Sequence, residues 1–321
     1  CGLTQPGLVN YIDQMVPNPA NHDTTSKTLL NYPGATPIIP AGQTPDEDLR
    51  DALNNIYFHP NVPPFISKSL IRQLVTSNPT PAYVGRVAAV FKDNGRGDRG
   101  DLKAVVRAIL LDPEARGNVK TDPDYGKLRE PVLYVTNVLR PFNPTANNNI
   151  SVPASCNGLS DGSINVITQP LDQDVFNPPT VFSYFNMDYI IPNTPLAGPE
   201  FGIFSTGTSL KRPNFVNQMA PPNTTGSAGI LAVAGTGNAP TSFPCGTRID
   251  LSRLQALATA DTTGALLLDT LDREVMHGSL SAPVRSEFLA AIQAVSSANP
   301  LKRARTALYL VTTSSQYQVQ R

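Results

Sequence analysis

Proline decides what this chain can build. Its 31 prolines among 321 residues are about double the usual share of roughly 5%. Each one fixes φ and removes a backbone donor. Short elements joined by long, stiff loops satisfy that constraint better than a compact cytosolic α/β enzyme does.

From residue 44 to about 143 the helix signals agree with one another. Thr44 and Glu47 form a capping box, and Asp46, Glu47 and Asp48 suit the positive end of the helix they open. That helix runs to about His59. After Pro63-Pro64, Phe65, Ile66, Leu70, Ile71, Leu74 and Val75 recur at helical spacing. Thr80-Pro81 reads as an N-cap with proline in the first turn, opening "AYVGRVAAVF". Leu102, Val105, Val106, Ile109 and Leu110 form an i, i+3, i+4, i+7, i+8 stripe that Asp112-Pro113 ends. A further helix is expected over roughly 127–141, with Pro131 in its first turn.

Residues 144–180 and 191–247 differ in kind. They are rich in Asn, Pro, Ser, Thr and Gly and show no sustained period, although short strands are allowed at 163–168 and 229–234. Between them "PPTVFSYF" is expected to make one or two helical turns. The tail returns to helix: Asp250 caps "LSRLQALA", Asp261 or Thr262 caps "GALLLDTLDREVM", Ser281 caps "VRSEFLAAIQAV", and Asn299-Pro300 opens "LKRARTALYLVTTSSQYQV". The expected fold is mainly α, a helical body interrupted by a long Pro/Gly/Asn-rich irregular insertion. Its parts are an irregular segment 1–43, a helical region 44–143, the insertion 144–247, and a helical region 248–321 packing on 44–143.

The loop "DNGRGDRGDL", residues 93–102, has three features that each suggest a ligand. Gly95, Gly97 and Gly100 have the spacing of a dinucleotide-binding turn, but that turn must follow a strand. Here Val84, Val87, Ala88 and Phe91 make the preceding segment helical, and Asp98 and Asp101 would face the phosphates. A Walker A loop fails because Gly100 is followed by Asp101 and Leu102. An EF-hand would place glycines and Arg99 at ligand positions. A looser divalent-cation site on Asp93, Asp98 and Asp101 and an adhesion role for the paired Arg-Gly-Asp triplets remain as readings. The plainer expectation is a helix connector, capped by Gly100 or Asp101.

Lys plus Arg equals Asp plus Glu at 25 each, so the formal net charge is zero. No long-range field draws the chain to nucleic acid or anionic lipid, and no nucleic-acid partner is expected. No apolar run approaches the ~18 residues of a membrane span. No local context for a catalytic triad surrounds the serines, and no cofactor-binding motif stands in the chain.

The histidines are His22, His59 and His277, none paired at i, i+3 or i+4. His59 reads as a helix-end residue. His22 and Asp23 share a polar loop with Lys27, and this trio is the candidate acid–base or metal-binding corner, with a hydrogen-bonded turn as the plain alternative. Phe176, Phe182, Tyr184, Phe185 and Tyr189 could form a carbohydrate or protein surface, but packing of the insertion onto the helices is the expected use, and the absence of Trp from the sequence counts against sugar stacking. Asn149 and Asn223 open glycosylation sequons, which matter only in a eukaryotic secretory pathway. Cys156 and Cys245 lie in polar loops; in an exported protein they read as a disulfide, and otherwise as two free thiols. Cys1-Gly2 matches the start of a mature bacterial lipoprotein, or is where processing or a longer chain was interrupted.

The stretch "DLRDALNNIYFHPNVPPFISKSLIRQLVTSNPTPAYVGRVAAVFKDNGRGDRGDLKAVVRAILLDPEAR", residues 48–116, resembles a bacterial family known as domain of unknown function 1800. "HDTTSKTLL", "IPAGQ", "LREPVLYVTNVLRPF", "FNPPTVFSYFNMDY" and "RARTALYLVTTSSQYQVQR" are similar to it in the same order. The resemblance implies a helical, exported protein of periplasmic, outer-membrane-associated or extracellular location. It implies a protein partner in the envelope, with a sulfatase-related exported family, commonly encoded beside this one, as a candidate. It supplies no mechanism. Members usually carry a further helical portion before the His22 region, so the chain reads as the C-terminal portion of a longer protein, which lowers the lipoprotein reading of Cys1. Two functions follow as expectations: an accessory or structural subunit of a larger assembly, or a metal-dependent or hydrolase-like enzyme acting on extracellular polymer, with a divalent ion as the cofactor it would need.

Overall fold

A computed structural model describes residues 15–117, 122, 124–146, 168–219, 230–232 and 247–321. The protein is mainly α. It divides into two compact units, one made of Cys1–Leu70 with Pro81–Ala108 and the other of Ile71–Thr80 with Ile109–Arg321. Cys1, Cys156, Cys245, Asn149 and Asn223 lie outside the described residues, as does most of the stretch 163–168.

The first unit opens with a 3-10 turn, Pro19–Asn21, and a hairpin of β1 (Lys27–Thr28) and β2 (Ile38–Ile39), paired Lys27↔Ile39 and Thr28↔Ile38. Helix α1 (Pro45–Tyr57) starts at the expected capping box, with both halves formed: the Glu47 amide donates to Thr44 Oγ1 at 3.4 Å and the Thr44 amide to Glu47 Oε2 at 2.9 Å. Helices α2 (Val62–Leu74), α3 (Pro81–Lys92) and α4 (Leu102–Leu111) follow the predicted stripes. Tyr83, Val87, Ala88 and Phe91 of α3, with Val105 of α4 and Ile39, form the unit's buried set.

In the second unit, α5 (Pro113–Arg116) follows an Asp112 cap, and residues 127–128 form β3 rather than the start of a helix. β3 pairs antiparallel with β7 (Val319–Gln320), and α6 (Pro131–Leu139) begins at the proline. The reason is local. Pro131 has no N–H and suits the first helical position, so the residues before it are free to pair as a strand. Strands β4 (Thr145–Ala146), β6 (Thr247–Asp250) and β5 (Ile230–Ala232) form a sheet in the order β4-β6-β5. β5 falls inside the expected 229–234 strand.

Helix α7 (Thr206–Met219) stands where no period was legible, because its buried face holds Thr208 and Arg212 beside Phe215 and Val216, and Pro213 interrupts it. "PPTVFSYF" is not helical: Thr180 and Ser183 form an isolated bridge, and Ser183 has φ +79°. A left-handed residue at Ser183, within four positions of Pro179, leaves no room for a helical turn.

The core of this unit gathers around α11 (Pro300–Thr313), which packs against α7, α8 (Ser252–Ala260), α9 (Ala265–Leu271) and α10 (Ala282–Gln293). Its Ala304, Ala307, Leu308 and Val311 are fully buried with Leu254, Leu267, Leu268 and Ile292. α11 stops at Thr313 because Ser314 turns extended and its Oγ caps the short turn α12 (Ser315–Gln318) at 3.1 Å. The Ser281 hydroxyl accepts from Gln316 Nε2 at 2.7 Å instead of capping α10. The Asp261 carboxylate accepts the Thr263 and Leu266 amides, each at 2.8 Å, before α9. α9 then passes into a π-turn, Asp272–Met276, ending at His277 with φ +57°.

Candidate functional site

Three side chains meet at the start of α1. Asp48 lies in the first turn, where unpaired amides favour a carboxylate, and is only 7% exposed. β1 delivers Lys27, whose Nζ lies 2.7 Å from Asp48 Oδ2 and also donates to the Asp23 and Thr25 carbonyls. The 3-10 turn delivers His22, whose Nε2 is 3.1 Å from the same oxygen. That approach is not a hydrogen bond, and His22 Nε2, like the other carboxylate oxygen, Asp48 Oδ1, is buried without a hydrogen-bond partner. A carboxylate beside an imidazole can orient the ring for proton transfer.

Asp23 is turned away from this group. Its Oδ1 accepts the Thr25 amide at 2.9 Å and hydroxyl at 2.8 Å, and these bonds hold its carboxyl below the ordinary range, with Lys27 and His22 contributing less. Of the expected trio the structure therefore joins His22 and Lys27 and replaces Asp23 with Asp48. The missed signal was helical phase. Asp48, Ala52 and Asn55 share the inward face of α1, and a charged residue there demands partners.

The 93–101 loop is closed on itself. Asp93 Oδ1 accepts the Gly95 and Gly97 amides at 2.7 and 3.0 Å. Asn94 Oδ1 accepts the Arg96 and Asp98 amides, while its Nδ2 reaches Asp98 at 3.3 Å and Asp101 at 2.9 Å. Asp101 Oδ1 caps α4 through the Ala104 amide at 3.1 Å, as the connector reading predicts. Among the described residues no three His, Cys, Asp or Glu side chains converge to hold a metal.

The loop's carboxylates carry a pH dependence. The Gly97 and Gly95 amides hold the Asp93 carboxyl below its ordinary value. A depressed folded pKa gives stability that is present above the unfolded value and lost as pH falls through the folded one. Protection of the Gly95 and Gly97 amides in hydrogen exchange, corrected for intrinsic rate, is expected to persist down through the usual carboxylate range and to collapse only below it. Loss of protection within that range would contradict the assignment.

The second unit buries its charges more deeply. Lys127 Nζ sits 3.1 Å from Glu200 Oε1 and 2.7 Å from the Gln73 carbonyl, with both side chains almost wholly sealed from solvent. Burial pushes the Glu200 carboxyl up, against the pull of Lys127. Arg129 lies 4.5 Å over the Tyr317 ring and donates to the Tyr317 carbonyl. Arg212 lies 5.0 Å over the Tyr134 ring and donates to Gln318 Oε1 at 2.6 Å. Burial pushes Arg212 down to about 10, which leaves it charged at neutral pH. These groups are buried and paired with one another inside the unit, where they hold its elements together.

At the surface of the same unit, Phe176, Val181 and Phe182 are 98%, 94% and 84% exposed, and Phe176 has φ +67°. Only Phe185 of that aromatic run is buried; the Tyr184 hydroxyl donates to the Asp174 carbonyl. The expected packing of these aromatics onto the helices holds for Phe185 and fails for Phe176 and Phe182.

No curated protein and no solved structure matches the chain. A family model described as protein of unknown function (DUF1800) matches residues 9–319. Arg129 and Tyr134 from "LREPVLYVTNVLRPF" meet Tyr317 and Gln318 from "RARTALYLVTTSSQYQVQR" in the buried polar centre just described. Two of the stretches that carry the likeness thus meet where the second unit closes, and with the match spanning nearly the whole sequence, the chain belongs to the DUF1800 family.

Proposed function

We propose that the protein is an accessory or structural subunit of an exported, envelope-associated assembly, bound to a protein partner. The observation that carries this reading is the 176–182 tip. A bulky aromatic held at positive φ costs of order 1–3 kcal/mol, and here Phe176 projects into solvent, as Val181 and Phe182 do further along the same segment. Strain spent on displaying apolar side chains fits a contact made with another protein. An apolar stripe on α1, Leu49, Leu53 and Ile56, is exposed as well and supports it.

The test is a crosslinked pull-down of the full-length protein from its native envelope. A stoichiometric partner is expected, and it should be lost when Phe176 and Phe182 are both replaced by serine, with the melting temperature nearly unchanged. Recovery of the protein alone would sink the proposal. The second reading, a metal-dependent or hydrolase-like enzyme acting on extracellular polymer, is favoured by the unsatisfied His22 Nε2 and Asp48 Oδ1. In that reading His22 and Lys27 act with Asp48, and Asp23 stands behind them. Replacing His22 by alanine separates the two: an enzyme loses turnover while folded, and a subunit keeps its partner.

A further inference from the structure

We propose that the concavity between the β1–β2 hairpin and α1 is a binding site for a neutral sugar. The hairpin is pinned to the helix by Tyr32 Oη donating to the Asn55 carbonyl at 2.6 Å and Asn55 Nδ2 donating to the Leu30 carbonyl at 2.9 Å. The Leu29 amide closes the hairpin onto the Pro37 carbonyl at 2.7 Å. These bonds leave a preformed cavity of about 330 Å³, within the size range of small-molecule sites.

Its lining mixes two kinds of surface. Asn55 is occupied in holding the hairpin, which leaves Asp51 and Asn54 as the polar side chains of α1 at the cavity. At i and i+3 they are neighbours on one helix face, with Cβ atoms about 5–6 Å apart, a spacing that lets both reach one sugar ring. Gln43 Nε2 holds Asp51 Oδ2 at 3.1 Å, which fixes the carboxylate. Phe58 follows at the helix end, 57% exposed, with the Arg99 guanidinium 5.7 Å from its ring centre. Ile38 borders the cavity from the hairpin.

The charges choose the ligand. No Lys, Arg or His lines the cavity, and a carboxylate does. A phosphate or a uronate would find no cation in the lining, and the two arginines beside it are engaged, Arg50 Nε 3.5 Å from Asp51 Oδ1 and Arg99 against Phe58. A hydrocarbon would cover the Asn54 and Thr36 side chains and offer them no partner. A neutral pyranose offers hydroxyls to the acid and amide, and a C–H face to Phe58, so it uses both surfaces. The site goes beyond the subunit reading and does not depend on it.

The experiment is saturation-transfer NMR on the full chain with cellotriose, maltotriose and chitotriose, and with trigalacturonate as the charged probe. At least one neutral trimer is expected to bind, with the trigalacturonate silent. Phe58→Ala and, separately, Asn54→Ala should each weaken binding by about tenfold, or about 1.4 kcal/mol. Asn54 is exposed on α1, so its variant keeps the test valid if the phenylalanine change disturbs folding. Failure of all three neutral trimers overturns the proposal. So does binding at the wild-type affinity by both variants, or preference for the charged trimer.

Discussion

Replacing Gly100 by valine is expected to destabilise the first unit by about 3 kcal/mol or more. Gly100 has φ +77°, and a Cβ built there would lie 2.3 Å from the Tyr57 hydroxyl. That hydroxyl donates to the Arg99 carbonyl at 2.5 Å, while Arg99 Nη2 donates back to the Tyr57 carbonyl at 2.9 Å. The new side chain must therefore adopt a left-handed backbone and also break this clasp. Gly95→Ala is the control, since Gly95 has φ +88° with open space around the added atom. It should cost only about 1 kcal/mol. Urea denaturation followed by far-UV circular dichroism reads both. Adding Tyr57→Phe to Gly100→Ala should recover part of the loss. Equal costs for Gly95→Ala and Gly100→Ala would show that the clasp contributes nothing.

The second large effect is expected at the sealed ion pair. Lys127→Met leaves Glu200 buried beside no cation, and removing one partner of such a pair costs about 3–5 kcal/mol. The double variant Lys127→Met/Glu200→Leu should be milder than Lys127→Met alone, because no charge is left stranded. The loss should also depend on pH. A carboxyl whose folded pKa is raised contributes stability that is present below its unfolded pKa and lost as pH rises toward the folded value. The Lys127→Met variant should thus approach the wild type in mildly acid solution and fall away near neutrality. A double variant no better than the single one, or a loss independent of pH, would place the effect in packing instead of charge.

Much of the helical fold is legible because α1 through α4 carry local signals: the capping box at Thr44, prolines in first turns, and apolar stripes at helical spacing. The 93–101 connector is legible for the same reason, since its bonds join residues only a few positions apart. The strand at 127–128 is not, because its partner lies at 319–320 and no local rule links them. Nor is α7, whose inward face carries Arg212 and Thr208, polar residues that an apolar-period search treats as outward. At the candidate site His22 and Lys27 were visible as chemistry in a loop. Asp48 was read as a charge favouring the helix start, and only the folded helix shows that it points inward. The exposed Phe176 and Phe182 were the opposite error, large apolar groups assigned to packing that they do not make.

The bonds that close the second unit have a consequence for how the chain is made. Arg129 donates to the carbonyl of Tyr317, Tyr134 to that of Thr312, and Lys127 pairs in strand register with Gln320. Contacts this distant in sequence slow folding, because a long loop must close before they reward it. On the ribosome, which adds residues at about 5–20 per second, the segment around residues 127–139 must wait with its core face uncovered until residues 312–320 have been made. The first unit takes none of its residues from beyond Ala108 and has no such wait. The burden of protection during synthesis, by a chaperone or by delayed release, therefore falls on the second unit.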